Sequence, residues 1–191
     1  MGGVLLICGT SSADDRLLSD DTFDYRSTSD VVIDGGLVVG FPIALPTGLA
    51  KGLTAGITRG HRFAFGARAA WLTASEDSDA WAVTHHELHV RATAAVMHDV
   101  GRGTVGARLG LGGALVYEDR LRHQGMRAAL EGDALETTAF ALLPVATLEG
   151  VVALHIKGPW LVQLSGGPAL SIVDGGAHGS WLAEVGLAWQ P

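Results

Sequence analysis

The chain has 191 residues, of which 48% are hydrophobic and only 17% charged, and its formal net charge is −7. Globular domains average about 25% charged residues, so this chain has little surface that suits water. The length fits one domain, the acidic balance excludes a basic nucleic-acid-binding face, and the single cysteine, Cys8, excludes a disulfide framework. The sequence has no apolar run of about 18 residues, which leaves a large soluble core or a membrane β-barrel.

Two N-terminal segments differ in composition from the rest of the chain. Residues 1–13, MGGVLLICGTSSA, combine a short apolar run with small residues, which predicts the remnant of a truncated signal peptide. Residues 14–30 contain six aspartates and show no periodicity, so we expect a flexible acidic tail. Residues 31–191 are assigned to a single β-barrel domain.

From residue 31 onward the chain is predicted to form successive strands, because apolar and polar residues alternate. The predicted strands occupy residues 31–45, 50–60, 62–74, 84–99, 104–119, 137–156, 160–174 and 180–190. Pro144 and Gly150 interrupt the sixth segment, which is therefore one long bent strand or two short ones. The count is eight if it is one strand.

The fourth predicted strand, THHELHVRATAAVMHD, shows the alternation most clearly. Between Leu88 and Val96 every second residue is apolar, whereas the opposite face carries charged and hydrogen-bonding groups. The members of that polar face are His85, Glu87, His89, Arg91 and Thr93. The strand therefore has one apolar side and one polar side, and the architecture depends on which side faces inward.

Three features predict that the apolar side faces outward, towards lipid. The polar faces consist mainly of glycine and alanine with a few charges, which suits the narrow interior of an eight-stranded barrel. Aromatic residues lie near strand ends, as in interfacial girdles: Phe63, Trp71, Tyr117, Trp160, Trp181 and Trp189. Short turns at residues 60–61, 99–103 and 157–159 alternate with longer loops after Ala74, Tyr117 and Val173. These features predict an antiparallel up-and-down transmembrane β-barrel of about eight strands; a soluble lipocalin-like binder of an apolar ligand is the alternative.

The pattern over residues 31–190 resembles that of small outer-membrane barrels of the OmpA/OmpX type. The resemblance implies a location in the bacterial outer membrane and a structural or partner-binding role without enzymatic activity. The expected partners are membrane lipid or lipopolysaccharide, and an envelope protein that contacts the external loops Ser75–Asp79 and Arg120–Glu136. No cofactor and no nucleic-acid partner are expected.

The few charged residues of the polar faces are predicted to form a salt-bridge network that closes the lumen, because buried charges must be paired. Its expected members are Arg68, Glu87, His89, Arg91, Arg108, Glu118 and Glu184. His85, Glu87 and His89 are also weak candidates for a metal site, since histidines two apart on a strand can bind one zinc ion. A further ligand would come from Glu118 or Glu184, but we expect a network that holds no metal.

The tripeptide His178-Gly179-Ser180 supports one enzymatic alternative. It is similar to the His-x-Ser of lipid A deacylase barrels, in which a serine nucleophile pairs with a histidine and an acid. The resemblance implies a lipid-modifying enzyme in which Ser180 attacks and His178 is the base. The nearest acid, Glu184, falls on the predicted lumen face.

Overall fold

The computed structural model describes residues 30–42, 48–77, 81–122, 136–173 and 176–191. The strands are β1 (Val31–Gly40), β2 (Ala50–Gly60), β3 (Phe63–Asp77), β4 (Trp81–Val100), β5 (Gly103–Arg122), β6 (Glu136–Lys157), β7 (Trp160–Val173) and β8 (Gly176–Trp189). Neighbours in sequence pair antiparallel, and β1 pairs with β8, so the sheet closes on itself without a free edge. Within these ranges no helix is long and apolar enough to cross a membrane.

Tight turns join the strands at one end of the barrel, here called the turn end. The turns Gly101-Arg102 and Gly158-Pro159 each leave two residues outside the strands, and their glycines have φ angles of 59° and 56°. Glycine at the first turn position suits a two-residue hairpin, because this backbone conformation strains residues that carry a Cβ atom. The first described strand begins and the last one ends at this same end.

Apolar side chains face outward along every strand. Ile33, Leu53, Phe65, Val90, Leu109, Leu148, Leu164 and Leu187 all remain exposed. The predicted aromatic residues are exposed as well: Phe63, Trp160 and Trp189 lie near the turn end, and Trp71, Tyr117 and Trp181 near the opposite, loop end. Charged side chains are buried in the lumen instead. This is the inverse of a soluble barrel, so the lipocalin-like alternative is wrong and the predicted transmembrane β-barrel of eight strands is confirmed.

The sixth segment is one strand, which resolves the ambiguity in the strand count. Pro144 lies just beyond the last β6–β7 pair, Val145–Ser171, so its missing N–H does not interrupt that ladder. Gly150 pairs with Gly166 and continues the strand.

Several predicted boundaries at the loop end require correction. β1 ends at Gly40 rather than at residue 45, and β4 begins at Trp81 rather than at residue 84. β3 continues to Asp77, so most of the expected loop Ser75–Asp79 is strand. β5 ends at Arg122 and β6 begins at Glu136, which leaves residues 123–135 of the second expected loop outside the described residues. β8 begins at Gly176 rather than at residue 180, so the connection after Val173 is short. In β3 and β5 cross-strand pairing extends through polar residues that local composition marks as loop. The expected signal remnant 1–13 and most of the tail 14–30 also lie outside the described residues.

The lumen is divided into layers along the barrel axis. At the turn end is a cavity of about 460 Å³, whose wall includes Val32, Ala153 and Leu161. A layer of charged residues follows. Nearer the loop end lie two clusters of buried apolar side chains: one contains Val38, Leu72 and Leu182, and the other Ala114, Val116, Leu143 and Val145.

Candidate functional site

A buried ionic layer crosses the middle of the lumen and receives side chains from seven of the eight strands. Its members are Asp34 (β1), Arg68 (β3), Arg91 (β4), Arg108 (β5), Glu149 (β6), Ser165 (β7) and Glu184 (β8), none more than 8% exposed. Three arginines face three carboxylates. The layer is therefore electrically balanced when every member carries its ordinary charge.

Glu184 lies at the centre of this ionic layer because it contacts all three arginines. Its Oε2 atom is 3.3 Å from Arg68 Nη2 and 3.5 Å from Arg108 Nη2, and its Oε1 atom is 3.3 Å from Arg91 Nη2. Ser165 Oγ donates a hydrogen bond to Glu184 Oε2 at 3.2 Å. The carboxylate thus links β8 to β3, β4, β5 and β7.

The other two carboxylates complete the pairing. Both terminal nitrogens of Arg68 donate to Asp34 Oδ1. Arg91 Nη1 donates to Glu149 Oε1, and Arg108 Nε donates to Glu149 Oε2 at 2.8 Å. Glu149 therefore bridges two guanidinium groups, and no arginine of the ionic layer is left without a carboxylate.

Two glycines provide the space that the ionic layer occupies. β2 contributes Gly56 between Asp34 and Arg68, and a Cβ atom there would lie 2.8 Å from Asp34 Oδ2 and 3.0 Å from Arg68 Nη1. A Cβ atom on Gly110 would lie 2.5 Å from Thr147 Oγ1 and 3.4 Å from Arg91 Cδ. Glycine at these positions thus leaves room for the long charged side chains of neighbouring strands.

A second buried polar cluster lies on β4, nearer the loop end than the ionic layer. Glu87 Oε1 is 2.8 Å from His85 Nε2, and Glu87 Oε2 is 2.8 Å from His89 Nε2. Glu118 on β5 lies opposite, with Oε2 3.6 Å from His85 Nδ1. Each carboxylate oxygen of Glu87 is thus directed at a different imidazole. Among the described residues no group of three His, Cys, Asp or Glu side chains is arranged to hold a metal ion.

The residues expected in one network fall into these two groups. Arg68, Arg91, Arg108 and Glu184 lie in the ionic layer, whereas Glu87, His89 and Glu118 lie in the second cluster. Sequence reasoning missed two carboxylates. Asp34 could have been found from the alternation of faces along β1. It lies at an odd spacing from the outward-facing Ile33 and Leu37, so its own side chain faces the lumen. Glu149 was obscured because Pro144 and Gly150 broke the apparent register of β6.

The two residues of the enzymatic alternative lie within β8, where His178 pairs with Ser171 and Ser180 with Ala169. Pairing with β7 extends past both residues to Gly176. His178 is exposed, whereas Ser180 is buried and its Oγ has no hydrogen-bond partner within the described part of the chain. Glu184 is occupied by the arginines. Ser180, His178 and Glu184 thus do not form a hydrogen-bonded triad.

Comparisons with solved structures identify other proteins that have this fold. Ail, the attachment invasion locus protein of Yersinia pestis, superimposes with a TM-score of 0.53 at 12% identity, over 84% of this chain and 99% of that chain. The outer membrane protein OprG from Pseudomonas aeruginosa gives 0.53 at 10% identity, over 86% and 97%. Neisserial surface protein A gives 0.51 at 13% identity, over 84% and 96%.

The chain thus has the fold of these small outer-membrane barrels. No protein-family model matches the sequence, and neither does any curated protein. At identities of 10–13% the likeness concerns the fold alone.

Proposed function

We propose that this chain is an integral barrel of the bacterial outer membrane with a structural or partner-binding role in the cell envelope. The observation that carries the proposal is the inverted distribution of side chains: an exposed apolar exterior surrounds a buried, charge-balanced ionic layer. Such an exterior is stable against hydrocarbon, and the closed sheet leaves no unpaired backbone edge there.

The ionic layer supports a scaffold rather than a wide pore. Its arginines and carboxylates contact one another across the lumen, and buried apolar clusters lie beyond it towards the loop end. Eight strands enclose an interior only wide enough for side chains to fill. In this proposal the lumen stabilises the barrel, and recognition belongs to its outer surfaces.

The loop end is the part of the barrel proposed to meet partners. β4, β5 and β6 have 20, 20 and 22 residues, whereas β1 and β2 have 10 and 11. The longer strands extend the wall beyond the apolar exterior on one side of the barrel. With the turn end in the periplasm, this wall projects from the cell, where lipopolysaccharide or an envelope protein can contact it.

The decisive experiment is refolding of the chain into detergent micelles followed by electrophoresis of unboiled and boiled samples. A closed barrel should resist detergent denaturation until boiled, so the unboiled band should migrate at a different position, and no soluble monomer should form in buffer alone. A soluble monomer in plain buffer would contradict the membrane assignment.

We infer no enzymatic activity for this barrel. A serine nucleophile requires a base within hydrogen-bond reach, and the Ser180 hydroxyl has no such partner among the described residues. Hydrolysis of lipopolysaccharide acyl chains that is abolished in a Ser180→Ala variant would contradict this inference.

A further inference from the structure

A row of outward-facing residues near the loop end marks the boundary of the apolar exterior. Cross-strand pairing aligns Lys51, Thr73, His86, Tyr117 and Phe140 on β2 to β6. The next row towards the turn end is entirely apolar: Leu53, Trp71, Leu88, Leu115 and Leu142. The next row towards the loop end includes Ser75, Thr84 and Asp119. On β3 to β5 the exterior therefore changes from apolar to polar at Thr73, His86 and Tyr117, as is typical of the level of lipid headgroups.

Four of these side chains form an ordered unit, here called the rim cluster: Trp71, Thr73, His86 and Tyr117. Trp71 Nε1 donates to Thr73 Oγ1 at 3.1 Å, and Thr73 Oγ1 lies 3.1 Å from His86 Nδ1. The His86 ring stacks on Tyr117, with centroids 6.1 Å apart and planes inclined by 28°, and its centroid is 5.7 Å from that of Trp71. The imidazole is thus held in one orientation on the outer surface.

The contact with Thr73 engages Nδ1 of His86 and leaves Nε2 as the ring nitrogen that can bind a ligand. An indole N–H can only donate, so Thr73 Oγ1 accepts from Trp71 and keeps one lone pair and its own proton for the contact with His86 Nδ1. When the Thr73 hydroxyl donates to Nδ1, the proton of the neutral imidazole lies on Nε2. No hydrogen bond involves Nε2 among the described residues, so in this tautomer the cluster presents an unused donor on the outer surface.

Lys51 adds a positive charge beside this donor. It pairs with Thr73, which in turn pairs with His86, so its Cα lies about 9.6 Å from that of His86, two strand spacings away. Lys51 is exposed, and within the described residues it has no ion-pair partner. An ammonium group and an imidazole N–H can reach one acceptor group between them, and a phosphate provides several acceptor oxygens with negative charge.

We propose that Lys51 and the rim cluster bind a phosphate group of lipid A in the outer leaflet. The inference rests on the proposed outer-membrane function, since that orientation places the loop end in the leaflet that contains this glycolipid. The acyl chains of the lipid would lie against the apolar row below, beginning with Leu53 and Trp71. Asp119 is the nearest outward carboxylate in the described row above, one strand from His86 and two residues beyond Tyr117. The negative charge of Asp119 repels phosphate, so a second phosphate group should not bind beside it.

The test is a lipid titration of the folded barrel in neutral detergent, with bound lipid counted by native mass spectrometry. His86→Phe retains the ring and removes both nitrogens, and Lys51→Gln removes the charge. Arg59→Gln is the matched control, because Arg59 is also an exposed outward cation of β2 but lies at the turn end. The lipids are lipid A and its fully dephosphorylated form, and inorganic phosphate serves as competitor.

His86→Phe and Lys51→Gln should each weaken lipid A binding about tenfold, as expected for loss of one charge-assisted hydrogen bond. The wild type should show a similar loss with dephosphorylated lipid A, and Arg59→Gln should bind as the wild type does. Equal affinity of the wild type for both lipids, equal loss in Arg59→Gln, or displacement by millimolar inorganic phosphate would overturn the proposal. Failure of the wild-type chain to form a heat-modifiable barrel would instead remove the proposed function and this site with it.

Discussion

The arginines of the ionic layer show why individual residue types matter in this lumen. An arginine keeps its charge in nearly all protein environments, and its planar group donates several hydrogen bonds in fixed directions. Arg91 uses two terminal nitrogens to contact Glu149 and Glu184 on different strands. A single side chain therefore ties three strands together, and the arrangement is stable only while each charge keeps its counterpart.

At the residue scale we predict that Glu149→Gln is strongly destabilising. The substitution removes the carboxylate that bridges Arg91 and Arg108, and it leaves both guanidinium groups with an excess of buried positive charge. Breaking a buried pair in this way costs about 3–5 kcal/mol. Urea unfolding from detergent, followed by the gel shift, measures the loss.

Asp99→Asn is the matched control for that substitution. Asp99 pairs with His61 at 3.5 Å, but both side chains are more than half exposed. The expected change in unfolding free energy is at most about 1 kcal/mol. Equal destabilisation by the two substitutions would show that the buried bridge has no special role in holding the barrel together.

Each strand of this barrel presents one face to the outside and one to the lumen, and the register determines which residues lie on each face. β2 places Leu53 and Ile57 outward and leaves Gly56 opposite the Asp34–Arg68 pair. The strand thus contributes no charge to the ionic layer, and its contribution is the space that the layer fills. Because side chains alternate between the two faces, a shift by one residue would turn the outward-facing residues into the lumen and the lumen-facing residues outward.

At the element scale we predict that Gly56→Val impairs folding, whereas Gly35→Val does not. A side chain at Gly56 would displace Asp34 or Arg68 from their pair. Gly35 faces outward on β1, and a Cβ atom there would meet no atom closer than 3.5 Å. The folded fraction on unboiled gels at equal lipid-to-protein ratio distinguishes the two variants. Similar folded fractions would mean that the lumen can reorganise around a larger residue.

The whole molecule combines two closures. The sheet is closed because β1 pairs with β8, and the lumen is closed by the ionic layer and the apolar clusters beyond it. The cavity of about 460 Å³ opens towards the turn end and ends at Arg108 of the ionic layer. We therefore expect no wide passage for solutes through the described part of the lumen.

At this scale we predict that the reconstituted barrel gives no steady conductance in a planar bilayer. Charged side chains that pair across the lumen should interrupt any continuous water path for ions through the ionic layer. A large porin in the same membrane verifies the recording. Stable stepwise conductance of the purified wild-type chain would contradict the closed lumen.

The sequence by itself determined the strand pattern, the inversion of polar and apolar faces, and most of the charged lumen residues. These features follow from alternation, which is local and has a period of two. Arg68, Arg91, Arg108 and Glu184 were all recognised in this way.

Only the tertiary structure decided which charges meet. Asp34 is distant in sequence from Arg68, and Glu149 from Arg91, and these contacts depend on closure of the sheet and on the register of the neighbouring strands. The continuity of β6 across Pro144 and the alignment of the rim cluster also required that register. Periodicity within one strand carries no information about the stagger between strands, and stagger determines which side chains share a level of the barrel.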